Sequence, residues 1–304
     1  MTVEQPGDHL LMRARSALEI AFADEAVRLL QASSLDKGRH DLLLLEVVRA
    51  GRPAKLVLRT YRHRITWWSD QDPDKAAREE AALRQVGRFG LPAPAVHAAG
   101  PDWTLVDWIH GEPLGDHDAV TDGDVPAAQH LAGVLARLHR LPLPDGPFPR
   151  PSPGEVINTI HRWSAGLGND RLTQAIRRVV PPPAGKPAFI HGDRNRTNVL
   201  VSADHQIAGL IDWEDAAIAD PRFDVGRAAA SLARLDPALA ASFLAAYEAE
   251  WGAPVVDLAQ WLALLAVQRW TMIELLRTRR PRADQIAMPA IPDDIERLLR
   301  EAGW

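Results

Sequence analysis

The chain has 304 residues, of which 46% are hydrophobic and 25% charged, and its formal net charge at pH 7 is −5. It is long enough to bury a substantial core, and its slightly acidic balance excludes the basic surface expected of a nucleic-acid-binding protein. The absence of cysteine excludes disulfides, thiolate nucleophiles and cysteine-based zinc sites.

We expect neither export nor a membrane span from the apolar patterns of this chain. The first residues, MTVEQPGDHLLMRARSALEIAF, lack a basic start followed by an unbroken apolar core. The apolar run LAQWLALLAVQ near position 260 is too short to cross a bilayer. We therefore expect a cytoplasmic protein without a membrane partner.

The first third of the chain predicts a small antiparallel sheet with one main helix. Three apolar runs between residues 26 and 60 are separated by turn-type clusters: AVRLLQASSL, DLLLLEVV and AKLVLRTY. A helical pattern follows in DKAAREEAALRQVGRFG and ends at the glycine before LPAP. The segments PAVHAA and WTLVDWI then predict two further strands.

Beyond Gly111 the pattern becomes mostly helical. Apolar residues recur at spacings of three and four in VPAAQHLAGVLARLHRL, EVINTIHRWSAGL, FDVGRAAASLARL, ALAASFLAAYEAEW and LAQWLALLAVQRWTMIELLRTRR. We expect an N-terminal lobe over residues 1–106, a hinge over 107–111 and a helical C-terminal lobe over 112–304. No internal repeat is present.

The segment between Phe189 and Asp224 carries residue types that phosphoryl transfer requires. Four residues separate Asp193 from Asn198, and Asp212 follows a predicted hairpin formed by NVLV and IAGLI. A carboxylate within hydrogen-bond reach of an acceptor hydroxyl can act as its base, and oxygen ligands on fixed backbone hold Mg²⁺ on a triphosphate. The spacing suits Asp193 for the first task and Asn198 with Asp212 for the second.

The segments HGDRNRTN and LIDWEDAAIADPRFD resemble the catalytic and metal-binding motifs of the aminoglycoside phosphotransferase and choline kinase family. The resemblance implies a two-lobed, protein-kinase-like α+β fold that uses ATP, or GTP, with Mg²⁺. One departure concerns the four residues after Asp193: many relatives have Leu-His-Pro-Gly or similar there, where this chain has Arg-Asn-Arg-Thr. This leaves the acceptor open.

The resemblance also implies an ion pair over the nucleotide phosphates. Arg59 and Glu79 occupy the places where family members put a strand cation and a helix glutamate. Arginine replaces the lysine of protein kinases, and a guanidinium can bind phosphate in a bidentate manner. Glu80 is the alternative partner, and both residues could instead be ordinary surface charges.

Nucleotide contacts are expected at a loop and at the hinge. Ser34 and Gly38 lie in the turn SSLDKGRHD, which can cover the phosphates through backbone N–H groups, although no GxGxxG motif is present. In WTLVDWIHGEPL, Asp107 and Ile109 are placed to bind adenine through the main chain. The alternative is a plain strand followed by a turn.

An acidic and aromatic set is the candidate acceptor site. It consists of Glu214, Asp215, Trp270 and Glu274, with Trp270 one helical turn before Glu274. Carboxylates and an aromatic wall suit a cationic acceptor. Surface helix charges are the commoner explanation of such residues.

We therefore expect a small-molecule O-phosphotransferase that acts on an aminoglycoside-like antibiotic or a hydroxylated metabolite, with antibiotic resistance as one role. A protein kinase or another metabolite kinase of the same fold is an alternative, but IADPRFD follows Asp212 directly, without an Ala-Pro-Glu type end. A non-catalytic nucleotide-binding regulator is the second alternative, and the presence of Asp193, Asn198 and Asp212 argues against it. The sequence leaves open the identity of the acceptor, the choice between ATP and GTP, and whether the protein is a monomer or a dimer.

Overall fold

A computed structural model describes residues 6–35, 41–62, 65–69, 71–115, 120–279 and 297–303. The strands are β1 (Val27–Ser34), β2 (Asp41–Arg49), β3 (Arg52–Thr60), β4 (Val96–Gly100), β5 (Trp103–Asp107), β6 (Glu112–Pro113), β7 (Ala188–Ile190), β8 (Val199–Val201), β9 (Ile207–Leu210) and β10 (Ala217–Ala219). The helices are α1 (Asp8–Ala21), α2 (Lys75–Arg88), α3 (Asp124–Leu138), α4 (Pro153–Ser164), α5 (Asp170–Arg178), α6 (Arg222–Ala233), α7 (Pro237–Trp251) and α8 (Leu258–Arg279).

The first five strands form one antiparallel sheet in the order β1-β2-β3-β5-β4. The turn between β2 and β3 consists of Ala50 and Gly51, both with positive φ, a backbone form that matches the twist of a two-residue hairpin. All five strands expected from the sequence are present, and the α+β fold class is confirmed.

Helices cover both faces of this sheet. Side chains alternate along a strand, so Leu58 enters the cluster of α1 with Leu18, whereas Val57 packs toward α2. Arg59 therefore points to the α2 side, where the cleft lies. The sequence analysis expected one helix on the sheet and did not assign α1, whose N-cap residue Gly7 provides no side-chain cap.

Helices dominate the chain beyond β6. The pairs α3 with α7, α6 with α7, α6 with α8 and α4 with α8 pack together and bury two apolar cores. The five helices predicted for this part are all present. The structure adds α5, which Asn169 caps through a hydrogen bond from Leu172 N–H, and whose buried side chains are Leu172, Ala175 and Ile176.

Short strands in this helical part hold the segment between Phe189 and Asp224. The strands β6, β8 and β9 form one small sheet, and β7 pairs with β10. The hairpin expected from NVLV and IAGLI is β8 and β9. In the part of the chain that the structure describes, no helix is long and apolar enough to cross a membrane.

Candidate active site

One buried carboxylate binds the backbone of the loop after β7. Asp224, in the first turn of α6, accepts hydrogen bonds from the N–H groups of His191 (2.7 Å) and Gly192 (2.9 Å). His191 Nε2 in turn donates to the carbonyl of Ile211 (2.9 Å), and the N–H of Asp193 points at His191 Nδ1 (3.3 Å). The loop is therefore tied both to α6 and to the end of the β8–β9 hairpin.

The charges beneath this loop are set by burial. Burial lowers the pKa of His191 well below its usual value, so the ring is neutral and keeps its proton on Nε2. Burial opposes ionisation of Asp224, but hydrogen bonds from His139 and from the loop hold the pKa of this carboxyl below its usual value. Asp224 is therefore ionised. It bonds to Nε2 of the His139 ring, and Nδ1 of the same ring bonds to the Tyr247 hydroxyl.

Asp193 presents one bound and one available carboxylate oxygen. Its Oδ2 accepts hydrogen bonds from Asn195 Nδ2 (3.0 Å) and Asn198 Nδ2 (3.2 Å). Among the described residues, none donates a hydrogen bond to its Oδ1. The side chain is therefore held in one orientation with a free acceptor atom, which is the arrangement that a general base needs.

Asn198 and Asp212 lie side by side. The N–H of Ile211 donates to the carbonyl of Asn198 (3.1 Å), which joins the start and the end of the hairpin. Asp212 adopts a left-handed backbone with φ of 69°, and its side chain is 31% exposed. Because Asn198 donates its Nδ2 to Asp193, its side-chain oxygen is directed away from that residue.

This pair fits a Mg²⁺ ion bound with a nucleotide. Mg²⁺ on a nucleotide takes one or two protein oxygens and completes its shell with phosphates and water. Among the described residues no group of three or more histidines and carboxylates forms a closed metal site. Asp212 Oδ1 lies 2.7 Å from Arg59 Nη2 but outside hydrogen-bond alignment, and a carboxylate oxygen of this kind suits an additional cation.

Arg59 lies at the centre of a buried ionic cluster. Its Nη1 is 3.3 Å from Glu79 Oε1, and its Nη2 is 2.7 Å from both Asp212 Oδ1 and Glu214 Oε2. Lys75 Nζ reaches the other oxygen of Glu214 at 2.9 Å. Three carboxylates thus face two cations. The cluster joins β3, α2 and the turn after the hairpin.

The ionic cluster has one more carboxylate than cations and is largely shielded from water. Burial alone would lower the pKa of Arg59, but the neighbouring carboxylates of Asp212, Glu79 and Glu214 raise it above its usual value. Burial raises the pKa of Glu79 to about 7, an effect that Arg59 only partly offsets. Arg59 Nε is also buried without a partner. A magnesium nucleotide would supply what the cluster lacks, a cation and phosphate acceptors.

A loop from the sheet reaches across the cleft to the helical part. Asp215 Oδ1 accepts the N–H of Trp67 (2.8 Å), and the Asp215 carbonyl accepts Trp68 Nε1 (2.8 Å). The carbonyl of Trp67 accepts Gln268 Nε2 from α8 at 3.0 Å. Arg78 binds the carbonyl of Glu214 (2.8 Å). The turn at residues 213–215 is therefore bonded to the Trp67 loop and to α2.

The expected nucleotide-binding residues lie at two places. The hinge segment follows β5, where the Asp107 side chain bonds to His97 (2.6 Å) and Ile109 packs against Gly209 of the hairpin. No described residue accepts the N–H of Ile109, which leaves it available to a base. Ser34 ends β1, and Gly38 lies outside the described residues.

The acidic and aromatic set expected for the acceptor does not converge. Glu214 is buried against Arg59 and Lys75, and Asp215 is held by Trp67. Trp270 is buried in a helical core and donates to Glu274 (3.3 Å). No hydrogen bond, ion pair or ring contact among the described residues joins the two halves of the set.

Several residues of this region were not singled out from the sequence. They are Trp67, Trp68, Asp72, Lys75, Arg78, Arg194, Arg227 and Gln268. Lys75 lies three residues before Arg78 and four before Glu79, so the helical spacing offered a signal that Lys75 shares a face with each of them. The contacts of Trp67 with residues 215 and 268 depend on the tertiary fold and left no local signal.

The comparison with known families identifies the chain. The sequence profile of the phosphotransferase enzyme family matches residues 44–263. This range contains the ionic cluster, the loop after β7 and the hairpin. The chain belongs to this family. A search of curated protein sequences finds no match.

Solved structures share the fold at low sequence identity. The macrolide 2′-phosphotransferase MphH from Brachybacterium faecium has a TM-score of 0.65 and 19% identity, with 96% of this chain and 98% of that chain covered. An aminoglycoside-3′-phosphotransferase of type VIII has a TM-score of 0.63 and 22% identity, covering 86% and 99%. A choline/ethanolamine kinase family protein from Mesorhizobium loti has a TM-score of 0.60 and 14% identity, covering 97% and 94%. These likenesses confirm the kinase-like fold.

Replacing Asp215 by asparagine should change how stability depends on pH. Burial and the charge of Glu214 raise the pKa of Asp215 to about 7, so the folded state holds this proton more tightly than the unfolded state. The stability that the proton confers is present below pH 4 and is lost as the pH rises toward 7. Asp215→Asn keeps an acceptor for Trp67 N–H without the charge. We expect urea unfolding to show little difference at pH 4 and a variant more stable by about 1 to 3 kcal/mol at pH 8; equal differences at both pH values would contradict this.

Gly192 should not tolerate a side chain. Its φ is +86°, and a Cβ atom would overlap the carbonyl oxygen of Asp215. Gly192→Ala should therefore reduce the free energy of unfolding by about 3 kcal/mol, since strain and a clash add. Gly90 is the matched control, because it has φ of +64° with open space around it; Gly90→Ala should cost only about 1 kcal/mol. Equal losses in thermal and urea unfolding would contradict the clash.

Proposed function

We propose that the protein transfers the γ-phosphoryl group of ATP, or GTP, to a hydroxyl group of a small molecule. The observation that carries this proposal is the fixed carboxylate of Asp193, whose Oδ2 is bound by Asn195 and Asn198 while Oδ1 accepts no bond from the described residues. Family membership supports phosphoryl transfer as the reaction class.

Arg59 is the residue that we assign to the phosphates of the nucleotide. It is buried beside Glu79 and Asp212, so its guanidinium is already positioned before the ligand arrives. Asn198 and Asp212 would hold a magnesium ion, which would supply positive charge against the phosphates. Asp107 and Ile109 would bind the base through the main chain, with Ser34 close to the phosphates.

Asp193 would act on the acceptor hydroxyl. The hydroxyl donates a hydrogen bond to Asp193 Oδ1, and its oxygen attacks the γ-phosphorus in line with the leaving oxygen of the nucleoside diphosphate. One P–O bond forms, the bond to the diphosphate breaks, and the hydroxyl proton passes to Asp193. The two amides on Oδ2 keep the carboxylate oriented throughout.

A small acceptor is favoured over a protein. After Asp212 the chain makes one short turn at 213–215, enters β10 and begins α6 at Arg222. This leaves no long segment to bind an extended peptide. Aminoglycoside, macrolide and choline kinases among the structural neighbours act on small molecules, which agrees with this proposal.

The base is tested by Asp193→Asn. The variant keeps the shape of the side chain and loses the proton acceptor, so turnover should fall by about 10² to 10⁴. Calorimetry with a non-hydrolysable ATP analogue and Mg²⁺ should show nearly unchanged affinity. The exposed Asp204 in the hairpin turn provides the control, because Asp204→Asn makes the same chemical change away from the site. A screen of antibiotics and metabolites for Mg²⁺-dependent ADP release would identify the acceptor. Turnover of the Asp193→Asn variant at the wild-type rate would contradict the assignment of Asp193 as the base.

Arg59 and Glu79 should act as a coupled pair. Arg59→Ala leaves the phosphates and carboxylates unneutralised, so it should raise KM for the nucleotide and lower turnover, and Arg59→Lys should recover part of the loss. Glu79→Ala should give a milder defect. In a double-mutant cycle we expect a coupling of about 1 kcal/mol or more. Glu80 is the control, since it pairs with Arg84 at the surface; simple additivity of Arg59→Ala and Glu79→Ala would show that the pair is not a unit.

A further inference from the structure

Both carboxylate oxygens of Glu214 are bound to cations. Its Oε2 accepts a hydrogen bond from Arg59 Nη2 at 2.7 Å, and its Oε1 accepts one from Lys75 Nζ at 2.9 Å. The Glu214 carbonyl accepts a further bond from Arg78 Nη1 at 2.8 Å. The residue is 4% exposed, so little water competes for these bonds. Backbone and carboxylate of Glu214 are therefore both fixed.

Asp212 differs from Glu214 in its contact with Arg59. Its Oδ1 lies 2.7 Å from the same Nη2 atom, but it is outside hydrogen-bond alignment. The Asp212 side chain is 31% exposed, against 5% for the side chain of Glu214. The aligned hydrogen bonds of the guanidinium go to Glu79 and Glu214. These two carboxylates orient Arg59, and the Asp212 side chain stays partly open to solvent.

Lys75 lies where a helix disfavours a cation. It is the first residue of α2, whose first turn contains no acidic side chain, and the positive end of the helix dipole is at this end. Lys75 is also only 3% exposed. A buried ammonium group requires a close anion, and Glu214 provides it. Lys75 thereby fixes the carboxylate oxygen of Glu214 that Arg59 does not use.

The geometry indicates what Arg59 would do without the carboxylate of Glu214. A buried cation that loses a partner is destabilised by several kcal/mol, and the nearest remaining oxygen is Asp212 Oδ1. A small rotation would bring Arg59 and Asp212 into an aligned pair. That pair would engage both groups that a magnesium nucleotide needs, namely the cation assigned to the phosphates and the carboxylate assigned to the metal ion.

We propose that Glu214 is a positioning residue for nucleotide binding, which keeps Arg59 bonded so that the Asp212 carboxylate remains available to the metal ion. Lys75 fixes Glu214 for this task. The proposal rests on the proposed function, in which Arg59 and Asp212 bind the magnesium nucleotide. Glu214 acts through Arg59 and does not bind the metal ion itself.

Calorimetry with a non-hydrolysable ATP analogue at a series of Mg²⁺ concentrations tests this role. Glu214→Gln should raise the Mg²⁺ concentration for half-maximal analogue binding by about tenfold, because Arg59 then engages Asp212. Glu214→Asp keeps the charge on a shorter side chain and should give a partial effect. Glu80→Gln makes the same change at the surface of α2, where Glu80 pairs with Arg84, and should leave the Mg²⁺ requirement unaltered.

The same titration in an Arg59→Gln background separates positioning from a direct effect on the metal ion. If Glu214 acts through Arg59, then adding Glu214→Gln to Arg59→Gln should change the Mg²⁺ requirement by less than about twofold. An increase of about tenfold in that background as well would mean that Glu214 acts on the metal ion directly, by coordination or by its charge. That result overturns the proposal.

A charge-balanced variant keeps the test valid if Glu214→Gln does not fold. The single change leaves Lys75 buried without its anion, whereas Lys75→Met combined with Glu214→Gln removes both charges. This double variant should show the same higher Mg²⁺ requirement, and thermal unfolding of the metal-free protein checks that it is folded. An unchanged Mg²⁺ requirement overturns the proposal. Failure of the wild-type protein to bind the analogue with Mg²⁺ would count against the proposed function instead.

Discussion

The geometry of the cleft depends on the buried charge of Arg59. This residue comes from β3, and its three carboxylate partners come from α2 and from the turn after the β8–β9 hairpin. Removing charged groups from water costs several kcal/mol per ion, which only close pairing offsets. The three segments are therefore held in one relative position, because any displacement would leave a charge buried and unpaired.

The charge of the cluster also favours one kind of ligand. On the nucleotide side, carboxylates outnumber cations and burial raises the pKa of Glu79, so the region favours a ligand that brings positive charge, as a magnesium complex does. Elsewhere around the loop, Arg227 stacks on Trp67 and donates to Gln268, and the charges of Asp193, Asp215 and Asp224 act on it.

The sequence predicted those parts of the site whose geometry is local. Asp193, Asn198 and Asp212 lie on one loop and one hairpin, so their spacing along the chain sets their spacing in the structure. The strands and long helices followed from apolar periodicity, whereas α1 lacked a capping side chain and α5 was short. The contacts of Glu214 and Asp215 were not predicted, because their partners Lys75 and Trp67 come from a segment distant in sequence. Arg227 had the appearance of an ordinary helix cation until Trp67 and Gln268 were placed beside it.

The loop of Trp67 and Trp68 has a mechanical consequence. The sheet and the helical part are joined covalently at residues 108–111, and non-covalently where this loop bonds to Asp215 and Gln268. The ionic cluster of Arg59 adds a further attachment between the same two parts. A hinge rotation of one part on the other would therefore have to break at least one of these contacts.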